Sequence, residues 1–523
     1  MWENYEGFST FVEYLKLIRM KKFLLLTLLS CVCTMGFAQT YPLNIEATVL
    51  RDNGRLKKGQ TVVFGSFTHE TVSDPTPVEQ FYITTSNGER VDIMSNLNDY
   101  FMFKYDDIQC FWDAQIITNV LHTLKSKGVQ YGLRREMEED ALEYINRVDS
   151  YGLILNDPYL ENYIYSLIAK ISPQQLIDGR PGNVNVIIQH NPRINACCYP
   201  NGTIVLNTGL LSVLHSEDEL VAILAHEIAH FILDHSVQNV NKAEQRQRRA
   251  EFWAAMATGI TAVAEGVAAV KNNYYVPGAA TLSMAVLSTS IGSQVVKRLG
   301  MQYNHEQEKE ADNMAIQVLC ILGYDVNALS TALSRMEREY VVERNNAMYV
   351  NSFSHPALVD RINNTGTPSS NVSVDFERMV SFAITDVARM KYEDRRFRQC
   401  LPLVSQNIKN GVAQADDYIL KSNCILATQN TTESNLEALE LINKAKMIDS
   451  ENINICKTEI IATLRLNRIS EAITLLQEYN TKIEKMVDEM KEIRSDETWD
   501  AYLQYVTSER SWVSKMLVKL KGM

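Results

Sequence analysis

The chain has no C-x-x-C pair, no excess of basic charge and only nine histidines in 523 residues. Each shortage removes a class of function. Lys and Arg number 51 against 63 Asp and Glu, a formal charge of −12, so the basic footprint of a nucleic-acid binder is missing. Setting aside Cys31 and Cys33 leaves seven cysteines: Cys110, Cys197, Cys198, Cys320, Cys400, Cys424 and Cys456. An odd, scattered set in a long chain is neither a disulfide framework nor a thiolate metal site, and these read as small apolar residues. The apolar run near the N-terminus, FLLLTLLSCVCTMGFA (23–38), is short for a membrane span. Met20-Lys21-Lys22 precedes it and Gly36-Phe37-Ala38 closes it, which predicts a secretory signal over 1–38 with Gln39 as the mature start. The residues before Met20 read as an extended n-region or an upstream start. An uncleaved anchor and a lipid-modified Cys31 are the alternatives; the residues after Cys31 are not polar, which disfavours the second.

Hydrophobic residues at 46% and charged residues at 22% are the balance of a globular protein able to bury a core, and the length suggests roughly two to four domains. Residues 39–115 alternate β-prone runs, TVVFGSF (61–67) and EQFYITT (79–85), with turn signals such as Ser86-Asn87-Gly88; a small β-rich domain is expected there. From about Thr118 the pattern turns helical, through LRREMEEDALEYINRV (133–148) and PYLENYIYSLIAKI (158–171). NVNVIIQH (183–190) reads as a strand, and INACCYPNGTIVLNTGLL (194–211) as two strands around a Pro200-Asn201-Gly202 turn. Two Ala/Gly/Ser-rich apolar stretches then span 252–270 and 279–296, parted by Asn272-Asn273 and Pro277-Gly278. They predict a helical hairpin over 252–296. Glu265 interrupts its first arm and small residues suit tight packing in water, so a soluble or surface-associated hairpin with peripheral membrane contact is preferred over true spans. TGTPSSNVSV (365–374) marks a linker, leaving 116–365 as one domain and 366–523 as a helical one. In the latter, Ala438, Ile442 and Ala445 are echoed by Ala472 and Leu476, with Ala438 and Ala472 34 residues apart. That spacing resembles tetratricopeptide repeats, with generic helical hairpins as the alternative.

The stretch ILAHEIAHFILDH (223–235) carries the chemistry. Ser216-Glu217-Asp218-Glu219 is a capping box that starts a helix just before Leu220. His226 and His230, one turn apart, project from one face and can converge on a single ion. Glu227 occupies a position in the stripe of Leu220, Leu224 and Phe231 where an apolar residue is expected, and an unpaired buried carboxylate costs on the order of several kcal/mol. A nearby cation accounts for it; two core histidines beside a solvated glutamate is the bland alternative. His235, read as lying on the same helix and rotated away from His230, fails as a third ligand, since Ser236 stands where a metzincin needs its histidine. The better candidate lies in NHEQEKEADNMAIQVLCILG (304–323), where Glu308, Ala311, Asp312, Ala315, Leu319 and Leu322 make one inward face and Gly323 is a natural stop. Glu306 and Glu310 fall off that face and read as solvated. One of Glu308 and Asp312 can ligate, and the other can accept the free N–H of a ligand histidine. An acidic surface helix is the alternative. Two histidines, a glutamate and an open fourth position suit catalytic zinc, with Glu227 as the base that moves a proton during amide hydrolysis.

HEIAH followed by EKEAD resembles the HExxH…ExxAD pattern of the HtpX and CaaX-prenyl-protease type zinc metallopeptidases, the gluzincins. INACCYPNGTIVLNTGLL, HSEDELVAILAHEIAH (215–230) and SHPALVDRI (354–362) resemble that family's blocks around the site, over about residues 155–365. With exported character and tetratricopeptide-like helices, the chain looks most like the BepA-type periplasmic branch. The resemblance implies an α+β fold: a mainly helical zincin-type peptidase domain with a small sheet, between the N-terminal β domain and the C-terminal helical repeats. It implies one zinc ion per chain on His226, His230 and Glu308, with Glu227 as base and Asp312 behind a ligand. His355 falls on the family's post-site histidine, able to approach the zinc, stabilise an oxyanion or cap a loop, and Arg361 reads as a partner of nearby carboxylates. Asn195, Ala196 and Cys197 would line the edge where an extended polypeptide substrate pairs. Cys197-Cys198, where larger apolar residues are usual, and Asn201, where glycine is common, depart from the pattern. The implied role is degradation of misfolded or misassembled envelope proteins, with protein partners held by the C-terminal helices. A latent protease acting as a chaperone or binding module, and a membrane-embedded processing enzyme, are the competing readings.

Overall fold

A computed structural model describes residues 39–73, 77–93, 96–121, 131–150, 152–177, 180, 182–240, 247–254, 292–343, 355, 358–491 and 496–521. The expected signal segment, most of the 252–296 hairpin, and Ser354, Pro356 and Ala357 lie outside these. The fold is α+β, and the chain divides into two compact units, residues 1–129 with 177–179, and the remainder.

The first unit is built on five antiparallel strands, β1 (Gln39–Val49), β2 (Thr61–Ser73), β3 (Pro77–Thr85), β4 (Arg90–Asp92) and β5 (Phe101–Lys104), in the order β4-β3-β2-β1-β5. Strand alternation sends Leu43, Ile45, Ala47 and Val49 of β1 inward, as a period of two requires. The register shifts between Pro42 and Ile45, where proline has no N–H to give the ladder. Gly88, at φ 82°, makes the hairpin turn before β4, its N–H donating to Thr85 O at 2.9 Å. Helix α1 (Ile108–Gln115) starts at Asp107, whose side chain accepts from Cys110 N. This helix therefore begins about ten residues before the Thr118 expected from the sequence, and a single helical turn, Leu97–Tyr100, precedes it. Cys110 to Gln115 are all buried, polar Asp113 and Gln115 included, so the polar residues of α1 do not mark a solvent-facing side.

The second unit opens with α2 (Tyr131–Ser150) and α3 (Pro158–Ile171), the latter capped by Asp157, which accepts from Tyr159 N and Leu160 N. A three-stranded sheet comes next, β6 (Asn185–Gln189), β7 (Ala196–Cys198) and β8 (Thr203–Asn207), in the order β6-β8-β7. β6 runs parallel to β8, and β7 pairs antiparallel with it across the expected turn. Gly202 there has φ +78°, and a Cβ would come within 2.8 Å of Asn183 O. Beyond the sheet lie α4 (Glu217–Ile232), α5 (His305–Leu322), α6 (Ala328–Glu343) and α7 (Leu358–Thr365). The long C-terminal helices α8 (Ser381–Glu393), α9 (Phe397–Lys409), α10 (Ala415–Thr428), α11 (Thr432–Ile448), α12 (Ile453–Arg465), α13 (Ile469–Lys491) and α14 (Asp496–Lys521) pack each on the next. Ala438, Ile442, Ala445, Ala472 and Leu476 are all fully buried in these helices. The first of the tail helices is joined to the sheet region: buried Asp386 lies 2.9 Å from His190 Nδ1 and accepts from Thr208 Oγ1 at 2.9 Å. A second bond, His215 Nδ1 to Glu377 Oε1 at 2.7 Å, ties the start of α4 to the short helix Val374–Met379 that precedes α8. Among the described residues no helix is long and apolar enough to cross a membrane.

Candidate metal centre

Helix α4 starts where its capping sequence puts it, with Ser216 Oγ accepting from Glu219 N at 3.3 Å. The Glu219 carboxylate reaches back to the N-cap side chain, accepting from Ser216 Oγ at 3.2 Å, and also accepts from His215 N at 3.3 Å and pairs with Arg335 at 3.0 Å. From Glu219 to Ile232 every residue of α4 is buried, because α3, β7, α5 and α6 all pack on it. Its polar residues must therefore find partners inside the protein. Helix α5 supplies them. Asn304 and Gln307 form a capping box at its start, Gly323 at φ 75° ends it, and Glu308 and Asp312 face α4, both buried.

The two helices bring His226 Nε2 and His230 Nε2 within 3.1 Å of each other. Glu308 Oε1 is 3.6 Å from His230 Nε2, and Oε2 is 3.8 Å from His226 Nε2. His355 completes the group, its Nδ1 2.8 Å from Glu308 Oε1 and 3.5 Å from His226 Nε2. One donor atom from each of these four buried residues lies within 4.8 Å of the others. Two nitrogens bound at 2.0–2.1 Å to a tetrahedral ion sit about 3.3 Å apart, so the imidazole pair fits such an ion. Glu227 stands beside them with Oε1 3.3 Å from His355 Nε2, while its buried Oε2 has no hydrogen-bond partner among the described residues.

Asp312 lies behind His226, Oδ1 to Nδ1 2.9 Å, and Arg361 clasps it through Nε at 2.9 Å and Nη2 at 2.7 Å. Arg361 Nη1 also reaches Glu308 Oε2 at 2.7 Å. Burial opposes the charge on Asp312, but Arg361 and His226 hold its carboxyl well below the usual range. Glu308 is likewise held down, by His355, Arg361 and His226 against its burial. His230 is driven the other way: burial, then the neighbouring histidines and Arg361, push it well below an ordinary imidazole, so it stays neutral. Burial also works against a charged His355, yet Glu308 and Glu227 raise it to about 10. The three carboxylates thus call for positive charge beyond Arg361, which is what a divalent cation brings.

Residues 156–368 match the sequence profile of Peptidase family M48. The chain carries an M48 peptidase domain. A beta-barrel assembly-enhancing protease of Escherichia coli K12 is 27% identical over 212 residues, 40% of this chain and 39% of its own length. A Vibrio cholerae protein named for the same role is 29% identical over 201 residues, 38% of this chain and 37% of the relative. The mitochondrial metalloendopeptidase OMA1 of Arabidopsis thaliana is 24% identical over 151 residues, 29% of this chain and 25% of that one. The chain thus matches about two-fifths of the length of the first two.

In the M48 domain β7 is an edge strand. Asn207 N donates to Asn195 O at 3.1 Å and Tyr199 N to Thr203 O at 2.9 Å, so by alternation Asn195, Cys197 and Tyr199 spend their peptide groups on β8. Of the three residues expected at the cleft edge, only Ala196 turns its peptide groups outward, and Cys198 does the same. All of β7 is buried. Burial, then the Glu227 carboxylate, raises both Cys197 and Cys198 well above an ordinary thiol, so they stay neutral.

Sequence reasoning missed two neighbours of His230 and a third residue behind them. Tyr303 stacks on its ring at 3.8 Å and 16°, with its own hydroxyl 3.0 Å from Ser236 Oγ. His235 is not on α4: the helix ends at Ile232, Asp234 is left-handed at φ 62°, and the reversal brings His235 Nδ1 to 2.8 Å from His230 Nδ1. Glu310, expected to be solvated, is half-exposed yet 3.1 Å from His235 Nε2. A histidine just past a helix end is the one signal that was available; Tyr303 and Glu310 carry none.

Proposed function

We propose that this chain is an exported zinc-dependent endopeptidase that cleaves misfolded or misassembled envelope proteins. What carries the reading is the convergence of His226, His230 and Glu308 in a buried centre with Glu227 alongside, inside the segment that matches Peptidase family M48. His226, His230 and Glu308 would hold one zinc ion per chain, which would supply Lewis acidity toward the scissile carbonyl and water. Glu227 takes a proton from the attacking water and passes it to the leaving amine. Its Oε2, buried without a partner among the described residues, is the atom free for that exchange. Asp312 holds His226 in the tautomer whose Nε2 lone pair faces the centre. The substrate lies extended along β7, where Ala196 and Cys198 offer peptide groups. The relatives' printed role, assembly of β-barrels, supports an envelope substrate, and α8–α14 offer the surface for protein partners.

The purified chain is expected to hold close to one zinc per molecule. A chelator should abolish casein hydrolysis, and added zinc should restore it. Hydrolysis that a chelator leaves untouched, with no metal by elemental analysis, would remove the proposal.

The position of His355 favours a second reading, a latent protease that acts mainly as a chaperone or binding module. Its Nδ1, among the donor atoms of the cluster, can fill the position an attacking water needs. His355→Ala separates the two. Casein hydrolysis that rises supports latency; hydrolysis that falls about tenfold or more supports a histidine that stabilises the developing oxyanion.

A further inference from the structure

The two imidazoles of the centre are supported differently. His226 has a carboxylate directly at its Nδ1, Asp312 at 2.9 Å. His230 has none. Its Nδ1 instead meets His235 Nδ1 at 2.8 Å, and His235 Nε2 meets Glu310 Oε2 at 3.1 Å. An unbroken helix cannot make this arrangement, because five residues on it turn through about 140° beyond a full circle. The chain reaches it through left-handed Asp234, whose carboxylate pairs with Arg134 and lies 3.8 Å from Arg180 Nη1. Arg180 in turn donates to Phe231 O at 2.7 Å and Ile232 O at 2.6 Å, closing the end of α4. His235 is buried as deeply as the ligands themselves.

Two ring nitrogens at 2.8 Å share one proton, and Glu310 settles whose it is. An ionised carboxylate only accepts, so His235 carries its proton on Nε2 and gives it to Glu310. The Nδ1 of a neutral His235 is then an acceptor, so His230 carries its proton on Nδ1. That leaves the His230 Nε2 lone pair on the side where His226 Nε2 stands 3.1 Å away. We infer that Glu310 and His235 are positioning residues, a two-membered relay that fixes the tautomer and ring orientation of His230 for metal binding. Tyr303, stacked on the ring face, restrains its tilt but has no say over its proton. The inference rests on the metal reading above.

Zinc affinity, measured on the full-length chain by competition with a chromophoric chelator, tests it. His235→Ala is expected to weaken binding by about 10–100-fold, the usual cost of losing an outer partner of a ligand histidine. Glu310→Ala changes a half-exposed side chain, so it tests the relay without threatening the fold, and should weaken binding by about tenfold. In His235→Asn the amide oxygen falls where Nδ1 was and can accept the same proton, so affinity should return to near wild type. Wild-type affinity in both alanine variants would overturn the relay while leaving the metal reading intact. A wild-type chain that binds no zinc would remove that reading, and the relay with it.

Discussion

The Glu227→Gln protein is expected to purify with its full complement of metal and to hydrolyse casein at least about a hundredfold more slowly than wild type. The amide matches the carboxylate in shape, so the packing around α4 should be preserved. It cannot take up a proton at neutral pH, and proton transfer by a placed base contributes roughly 10²–10⁴-fold. His226, His230 and Glu308 are untouched, which is why metal content and rate should part company. Stability should hold or rise, because a buried carboxylate with one oxygen unpartnered among the described residues is replaced by a neutral group. Elemental analysis and initial rates on the same preparation decide the matter. A variant that keeps its metal and cleaves within a few-fold of wild type would show that Glu227 is not the base.

The second large effect lies away from the centre. Asp140→Ala should cost about 3–5 kcal/mol of stability, read as a lowered urea midpoint. Asp140 on α2 and Arg298 are both fully buried and 2.5 Å apart, and Arg249 joins them at 3.3 Å. Without Asp140 the buried Arg298 guanidinium loses a carboxylate at 2.5 Å, Glu136 lying farther off at 3.7 Å, beside Leu299 of a cluster that includes Met137, Tyr144, Phe252, Val295 and Met301. The cost is that of a buried charge losing a close counter-charge, so Asp140→Leu combined with Arg298→Met should recover most of it. Tyr303 belongs to the same cluster, so loosening this joint should also loosen the ring that rests on His230. A single variant as stable as wild type would mean that the pair adds nothing beyond its own desolvation.

Much of this centre can be read from residue order because it depends on local rules. The spacing of His226 and His230 on one helix, the Ser216 cap and the Gly323 stop are set within a turn or two of the chain. The period of α5 alone puts Glu308 and Asp312 on one inward face. Where residue order misleads, the cause is tertiary. Nothing near Asp234 announces a left-handed residue, so the pattern carries the helix onward and turns His235 away. A helical face says which way a side chain leaves the backbone, not what comes to meet it, and Glu310 therefore reads as solvated. Helix α1 escapes notice because it is only eight residues long and buries Asp113 and Gln115 among its apolar residues, so it is too short for its period to stand out.

Asp386 and Glu377, bonded to His190, Thr208 and His215, have a mechanical consequence. The tail helices are coupled to the sheet and to the root of α4 by polar links in addition to the connecting chain. A pull on them is felt at the neighbouring strands, so the array behaves as a handle on the catalytic body and not as a leash.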